Sequence, residues 1–158
     1  TNRRVNVTKV DFRTILESLI RQNRREIDAH NINVSIEISE KGTFFNDRHR
    51  IALIMKNLMQ NAIQFRDDKK TLKQIRVNVS ISQAVCDVEV IDNGIGMPME
   101  VTTRIFDLFF RGSEKSTGTG IGLYVVKEVL YKMGGTIDVT SEPGKGSVFS
   151  LSFPNSML

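Results

Sequence analysis

Cysteine, tryptophan and long hydrophobic runs are scarce or missing in this sequence of 158 residues. Cys86 is the single cysteine, which excludes intrachain disulfides and multi-cysteine zinc sites, so we expect a reducing compartment. The longest apolar run, residues 51–55, is far shorter than the ~18 residues of a membrane span, and the amino terminus lacks a signal-peptide core. We therefore expect a cytoplasmic chain. Since no initiator Met is present, we expect a piece of a longer protein.

The composition is that of an ordinary globular domain. Hydrophobic residues make up 40% and charged residues 25%, and the length fits one domain. Basic residues exceed acidic ones by 22 to 18, and residues 41–80 hold nine basic against three acidic side chains. This stretch has no recognition motif and few aromatic residues, so we expect no nucleic-acid partner.

Periodic apolar residues predict three helices. The first covers residues 12–27, with Asp11 as its N-cap. The second runs from an N-cap at Asp47 to about Arg66. The third covers residues 120–133 and ends at a Gly-Gly pair, the usual left-handed terminator.

Alternating apolar residues predict the strands of a sheet. They lie near residues 34–38, 75–81, 85–92, 136–140 and 147–153. The second and third form an antiparallel hairpin in this prediction, and so do the last two. The fold class that follows is α+β, a two-layer α/β sandwich with helices on one face of a mixed, mainly antiparallel sheet.

Common catalytic and nucleotide-binding fingerprints are missing from the sequence. It has no Gly-x-Ser-x-Gly and no phosphate-binding Gly-x-x-x-x-Gly-Lys, and a Rossmann fingerprint starting at Gly94 would need glycine at Met99. The two histidines, His30 and His49, have the sequence settings of surface or capping residues.

Polar residues on the second helix and after the third strand are candidates for ligand contacts. Asn57 and Asn61 lie one turn apart at the edge of the apolar stripe. Alone, such asparagines more often bond to their own helix backbone. Asp92 ends an apolar strand and precedes Gly94 and Gly96, which allow a ligand to approach the backbone. An ordinary Asp-Asn-Gly turn is the alternative.

Two further glycine-rich segments complete the candidate set. Gly118, Gly120 and Gly122 alternate directly before a helix, so their amides and the helix dipole would cradle a phosphate, unless the segment is only a hinge. The Gly-Lys-Gly-Ser segment at 144–147 would place the Ser147 hydroxyl inward, although alone it predicts no more than a hairpin turn. The long irregular stretch 93–120 favours a functional loop.

These motifs together, in this order, resemble the superfamily of gyrase, chaperone, histidine-kinase and mismatch-repair ATPases, which has the Bergerat-type ATP-binding fold. The resemblance spans roughly residues 8–154. It is strongest to the catalytic and ATP-binding domain of two-component sensor histidine kinases, on segments 57–62, 105–111 and 118–123.

The domain organisation implied by this resemblance is a single ATP-binding domain over residues 1–158. Residues 1–7 would be a linker from an upstream domain, and residues 97–119 an ATP lid. We expect Ile105, Phe106 and Phe109 to pack this lid onto the body of the domain.

The resemblance also implies how the base and the phosphates are bound. Asp92 would accept the adenine amino group, Gly96 would let the backbone approach the base, and Ser147 would join the Asp92 water network. Asn61 would ligate Mg²⁺ and Asn57 would help to hold the phosphates. The complete nucleotide-binding set comprises Asn57, Asn61, Asp92, Gly94, Gly96, Met97, Arg111, Gly118, Thr119, Gly120, Ile121, Gly122, Leu123 and Ser147.

The implied activity is that of a protein histidine kinase with ATP and Mg²⁺ as cofactors. Arg111 and Asn57 would be its catalytic residues, with Arg111 against the γ-phosphate. The acceptor would be a histidine on a separate dimerisation domain, and a response-regulator receiver domain would act downstream. We expect the isolated domain to be monomeric and the parent kinase to be a homodimer, in some cases anchored in the inner membrane.

Two features depart from the family pattern. No His-Glu motif on a preceding helix is present, so the phosphoacceptor is absent from these residues. Gln64 stands where many members carry lysine, with Arg66 as a nearby substitute.

The alternatives are an ATP-hydrolysing clamp, a serine kinase of the same superfamily, and a nucleotide-binding module without phosphotransfer. The first two place glutamate where Asn57 stands, and a carboxamide cannot accept a proton at neutral pH.

Overall fold

A five-stranded sheet forms the centre of the computed structural model, which describes residues 5–111 and 121–156. The strands are β1 (Val7–Lys9), β2 (Ile32–Glu40), β3 (Phe45–Asp47), β4 (Lys73–Ile81), β5 (Val85–Asp92), β6 (Thr136–Glu142) and β7 (Gly146–Pro154). In the large sheet the order is β2-β4-β5-β7-β6, in which β2 and β4 are parallel and the other neighbours antiparallel. The predicted fold class is confirmed.

The helices pack on one face of this sheet. They are α1 (Phe12–Gln22), α2 (Arg24–Ala29), α3 (Arg48–Gln64) and α5 (Gly122–Lys132), while the short helix α4 (Met99–Thr102) buries none of its residues. The strand alternation explains the layering, because Ile75, Val77 and Val79 of β4 are buried in the core. Residues that alternate with them along the strand, such as Arg76 and Ser80, are exposed on the opposite face.

The predicted helix caps are confirmed, but the first helix is shorter than predicted. Asp11 accepts a hydrogen bond from Thr14 N at 3.3 Å, and Asp47 caps α3 by accepting from the amides of residues 49 and 50. The prediction of one helix over residues 12–27 is wrong, because the chain breaks at Asn23. The Asn23 side chain donates to the Leu19 carbonyl at 2.8 Å and competes with the helical ladder.

A small second sheet, which the sequence analysis did not predict, holds the start of α3. Strand β1 pairs with β3 in antiparallel register, and Asn6 N donates to Asp47 Oδ2 at 3.1 Å. The carboxylate that caps α3 therefore also holds the amino-terminal strand. Among the helices of the described residues, none combines the length and apolar character that crossing a membrane requires.

Candidate functional site

Asp92 is the last residue of β5, and its half-buried side chain is the main charged group of the candidate site. Burial raises the pKa of this carboxyl from its ordinary 3.8 to about 6, against the opposing effects of the Gly94 and Ser147 amides and the Lys70 charge. Gly94 N donates to Asp92 Oδ1 at 2.9 Å. At neutral pH the site therefore presents a poorly solvated carboxylate, which is a strong acceptor for a ligand N–H group.

Two glycines let the segment after Asp92 touch the β6–β7 turn backbone to backbone. Gly96 has φ +68°, and a Cβ there would lie 2.0 Å from the Glu142 carbonyl oxygen. Gly146 has φ +114°, and a Cβ there would lie 2.0 Å from the Asp92 carbonyl oxygen. The fold itself therefore requires glycine at both positions. The approach of a base to Gly96 stays a prediction.

Ser141 is a site residue that the sequence analysis missed. Its hydroxyl accepts a hydrogen bond from Met97 N at 2.8 Å, donates to the Gly146 carbonyl at 2.9 Å, and lies 2.8 Å from the Ser147 hydroxyl. Ser147 is buried and pairs with Asp92 in the strand register, as its predicted inward position requires. The hairpin register could have identified Ser141, because a short turn after Glu142 sets Ser141 opposite Ser147.

The end of helix α3 supports the loop that follows Asp92. Ile95 N donates to the Phe65 carbonyl at 3.0 Å, and a Cβ at Gly94 would lie 2.3 Å from the same oxygen. Phe65 N in turn donates to the Asn61 carbonyl at 3.1 Å. The structure thus places Asn61 one helical turn from the loop that carries Gly94.

Asn57 lies against the first residue of α5. Its Oδ1 atom is 3.0 Å from the position that a Cβ at Gly122 would occupy, while its Nδ2 atom donates to the Leu53 carbonyl at 2.9 Å. Asn57 therefore makes the hydrogen bond to its own helix backbone that the sequence analysis named as the alternative to a ligand contact. The carboxamide oxygen nevertheless lies beside the amino-terminal end of a helix, where the dipole attracts anions.

A divalent cation fits this region only if the ligand supplies most of its oxygens. Among residues 5–111 and 121–156, no group of three or more His, Cys, Asp and Glu side chains is arranged to hold a metal. Half-buried Asn61 offers one carboxamide oxygen. This is the donor set that Mg²⁺ accepts when phosphates and water complete its octahedron.

The described part of the segment predicted as a lid is anchored by one of its phenylalanines. Phe106 meets Phe149 edge to face, with ring centroids 6.3 Å apart. Phe109 is 64% exposed and has φ +64°, so the expectation that it packs onto the body is wrong. The Arg104 guanidinium stacks 4.6 Å from the Phe110 ring centroid, which binds the segment to itself. Arg111 follows with an exposed side chain.

The structure describes only some of the remaining predicted residues. Ile121 and Leu123 flank Gly122 at the start of α5, with Leu123 packed against the core. Gly118, Thr119 and Gly120 lie outside the described residues, so the predicted phosphate cradle stays a prediction.

The two candidate substitutes for the family lysine line a different cleft. Arg66 forms an ion pair with Asp68 at 2.9 Å and donates to the Ile63 carbonyl at 3.0 Å. With Gln64 it lines a cleft of about 490 Å³ between the α1–α2 junction and the end of α3. The cleft is lined by Asn23, Glu26, Gln60, Ile63, Gln64, Arg66 and Asp68.

Comparison with known proteins identifies the family. The sequence profile of the "Histidine kinase-, DNA gyrase B-, and HSP90-like ATPase" family matches residues 46–157. The sensor-like histidine kinase SenX3 of Mycobacterium tuberculosis is 33% identical over 155 residues, which are 94% of this chain and 37% of SenX3. The chain thus spans little more than a third of that curated relative.

Solved structures of similar fold include histidine kinases. The catalytic domain of ThkA superposes with a TM-score of 0.81 at 24% identity, over 95% of this chain and 98% of that one. Full-length ShkA in complex with AMPPNP gives 0.84 at 23% identity, over 100% of this chain and 33% of ShkA. At these identities the likeness establishes the fold, and the family is established by the profile, which matches more than half of the chain. The chain belongs to the histidine kinase-, DNA gyrase B- and HSP90-like ATPases, as an ATPase domain of the sensor histidine kinase type.

Proposed function

We propose that this domain binds Mg-ATP and donates the γ-phosphoryl group to a histidine on a separate dimerisation domain. The observation that supports the proposal is a continuous series of contacts that joins the predicted adenine site to the predicted phosphate site. It starts at the Asp92 carboxylate, passes through Gly94 to the end of α3, and ends where Asn57 meets Gly122. A base would be bound at the first end and phosphates at the second.

Asp92 would select adenine by its charge. An ionised carboxylate only accepts hydrogen bonds, so it matches the exocyclic amino group of adenine and opposes the carbonyl oxygen of guanine. The Ser147 hydroxyl oxygen beside it would accept a hydrogen bond from ordered water, because Ser141 donates to the Gly146 carbonyl and Ser147 then donates to Ser141.

The phosphates would lie between Asn57, Asn61 and the amino terminus of α5. Helix N–H groups favour anions, and Gly122 leaves the approach free of a side chain. Asn61 is the residue that would hold Mg²⁺, which, when bound, neutralises phosphate charge during transfer. Arg111 would act on the γ-phosphate as a catalytic residue, in the way that arginine stabilises charge in phosphoryl transfer.

Transfer to a protein histidine is favoured over hydrolysis by the chemistry of Asn57. Its Nδ2 atom is bonded to the Leu53 carbonyl, and its carboxamide has no basic group to activate water. The partners would be the dimerisation domain of the parent homodimer and, downstream, a response-regulator receiver domain.

Nucleotide titration separates the proposal from a module without an adenine site. By calorimetry at pH 8 with Mg²⁺, we expect ADP to bind at least about 100-fold more tightly than GDP, because the guanine oxygen would face a poorly solvated carboxylate. Equal affinities would contradict adenine binding at Asp92.

Phosphotransfer needs its own assay. The domain would be incubated with γ-labelled ATP and a separately produced dimerisation domain, with a His→Ala version of that domain as control. We expect acid-labile label on the histidine-containing version only. Release of free phosphate at a similar rate with either version would favour the hydrolase alternative.

A further inference from the structure

Lys70 joins the two segments that enclose Asp92. Its Nζ atom donates to the Asn93 carbonyl at 2.7 Å and to the Gly144 carbonyl at 2.7 Å. Asn93 directly follows Asp92, and Gly144 lies in the β6–β7 turn. One half-buried ammonium group therefore bridges parts of the chain that are more than 50 residues apart.

Lys70 forms this bridge where the segment after Asp92 already contacts the β6–β7 turn through its backbone. Gly144 N donates to the Ile95 carbonyl at 2.7 Å, so a backbone bond and a side-chain bridge cross the same contact. Two carbonyl oxygens that converge on one point repel each other unless a cation or water lies between them. A lysine there is favourable because each of its hydrogen bonds is charge-assisted.

The remainder of the loop before β4 is fixed to the same segment. Asn93 Nδ2 donates to the Leu72 carbonyl at 2.7 Å, and Gln74 N donates to Asn93 Oδ1 at 2.8 Å. Lys70 is therefore held by a loop that is itself bound to Asn93, which limits how far its ammonium group can move.

We propose that Lys70 is a positioning residue that holds the segment after Asp92 against the β6–β7 turn and so fixes the carboxylate for the adenine base. The inference rests on the proposed function, since it assigns Asp92 to adenine. Lys70 also exerts an electrostatic effect, because its charge favours the ionised form of Asp92. The other charged side chains of the turn, Glu142 and Lys145, pair with each other at 3.3 Å and are exposed, so water screens them.

Hydrogen exchange without nucleotide tests the bridge directly. The Lys70→Met variant keeps the length of the side chain and removes the ammonium group, and Lys69→Met changes an exposed neighbour as a matched control. We expect the Gly144 amide to exchange about tenfold faster in Lys70→Met than in the parent or the control. Equal exchange in all three would overturn the bridge, whether or not the domain binds nucleotide.

ADP titration over pH 5 to 8 tests the consequence for the site. We expect Lys70→Met to bind ADP about tenfold more weakly at pH 8. The midpoint of its pH dependence should move above that of the parent, whereas Lys70→Arg, which keeps the charge, should retain the parent's midpoint. An equal loss at every pH, or a midpoint below that of the parent, would refute the electrostatic part, because looser packing alone would expose Asp92 to water and lower its pKa. If the parent itself binds no ADP, the proposed function is wrong, and the exchange result alone decides whether the bridge exists.

Discussion

Replacing Asp92 with asparagine should weaken nucleotide binding and at the same time stabilise the free domain. Burial raises the Asp92 pKa from 3.8 to about 6. The difference of about 2 pKa units corresponds to ~3 kcal/mol, since one unit is ~1.4 kcal/mol. Because the folded pKa is raised, the carboxylate lowers the free energy of unfolding at pH above about 6, and this cost disappears as the pH falls toward 3.8.

The asparagine variant recovers only part of this free energy. Its Oδ1 atom still accepts from Gly94 N, which donates to Asp92 Oδ1 at 2.9 Å in the parent. The NH₂ group cannot accept from the Ser147 amide, and the loss of such a bond costs ~1 kcal/mol. We therefore expect Asp92→Asn to raise the free energy of unfolding by about 1 to 2 kcal/mol at pH 8.

Urea unfolding of parent and variant at pH 8 and pH 5 measures this difference. The gain should be largest at pH 8 and should shrink at pH 5, where the parent carboxyl is largely protonated. In calorimetry at pH 8 the same variant should bind ADP about 10- to 100-fold more weakly, because an NH₂ group would face the adenine NH₂. A variant that is less stable than the parent by the same amount at both pH values would refute the account of a desolvated carboxylate. Unchanged ADP affinity would show that adenine binds elsewhere.

Three further outcomes are expected. Mg-ADP at a hundredfold excess over its dissociation constant should stabilise the domain by ~2.7 kcal/mol, seen as a higher melting temperature, and no shift at millimolar nucleotide would contradict ATP binding. Gly146→Ala should lower the free energy of unfolding by more than ~2 kcal/mol in urea titrations, because its Cβ would meet the Asp92 carbonyl. The control variant Gly144→Ala has open space around the new Cβ and should lower the free energy of unfolding by only ~1 kcal/mol. Equal losses in the two variants would refute the steric argument. Arg111→Ala should transfer phosphate to the histidine domain about 10- to 1,000-fold more slowly in a labelled-ATP assay with near-normal ADP affinity, and an equal loss of both would make Arg111 a structural anchor.

Helices α3 and α5, the strands of the large sheet and the position of Asp92 at a strand end were predictable because each depends on local patterns. Asp47 was identified as a cap because a carboxylate before an apolar stripe satisfies free helix N–H groups, and the structure confirms it. The hairpin of β4 and β5 follows from alternating apolar residues on either side of a short break. Asp92 became a candidate because it ends an apolar strand and precedes Gly94 and Gly96, although an ordinary turn was the alternative.

Other features could not be predicted from apolar spacing, because a side-chain hydrogen bond or a contact between distant segments decides them. Asn23 ends α1 although the apolar spacing continues beyond it, because a local side-chain bond outweighs the pattern. Phe109 resembles a core residue in sequence yet is exposed, whereas Phe106, three residues earlier, meets Phe149. Similarly, Lys70 has the sequence appearance of a solvated loop charge.

The sequence by itself thus determined the family, the sheet and the position of Asp92 at a strand end, because periodicity and motif order are properties of the chain. The tertiary structure decided how that carboxylate is held. The contact of Gly96 and Gly146 with opposing backbone, the Ser141 hydroxyl on Met97, and the Lys70 bridge all join residues far apart in sequence. Their free energies arise from desolvation and from convergent hydrogen bonds, and both exist only after the sheet has brought the two loops together.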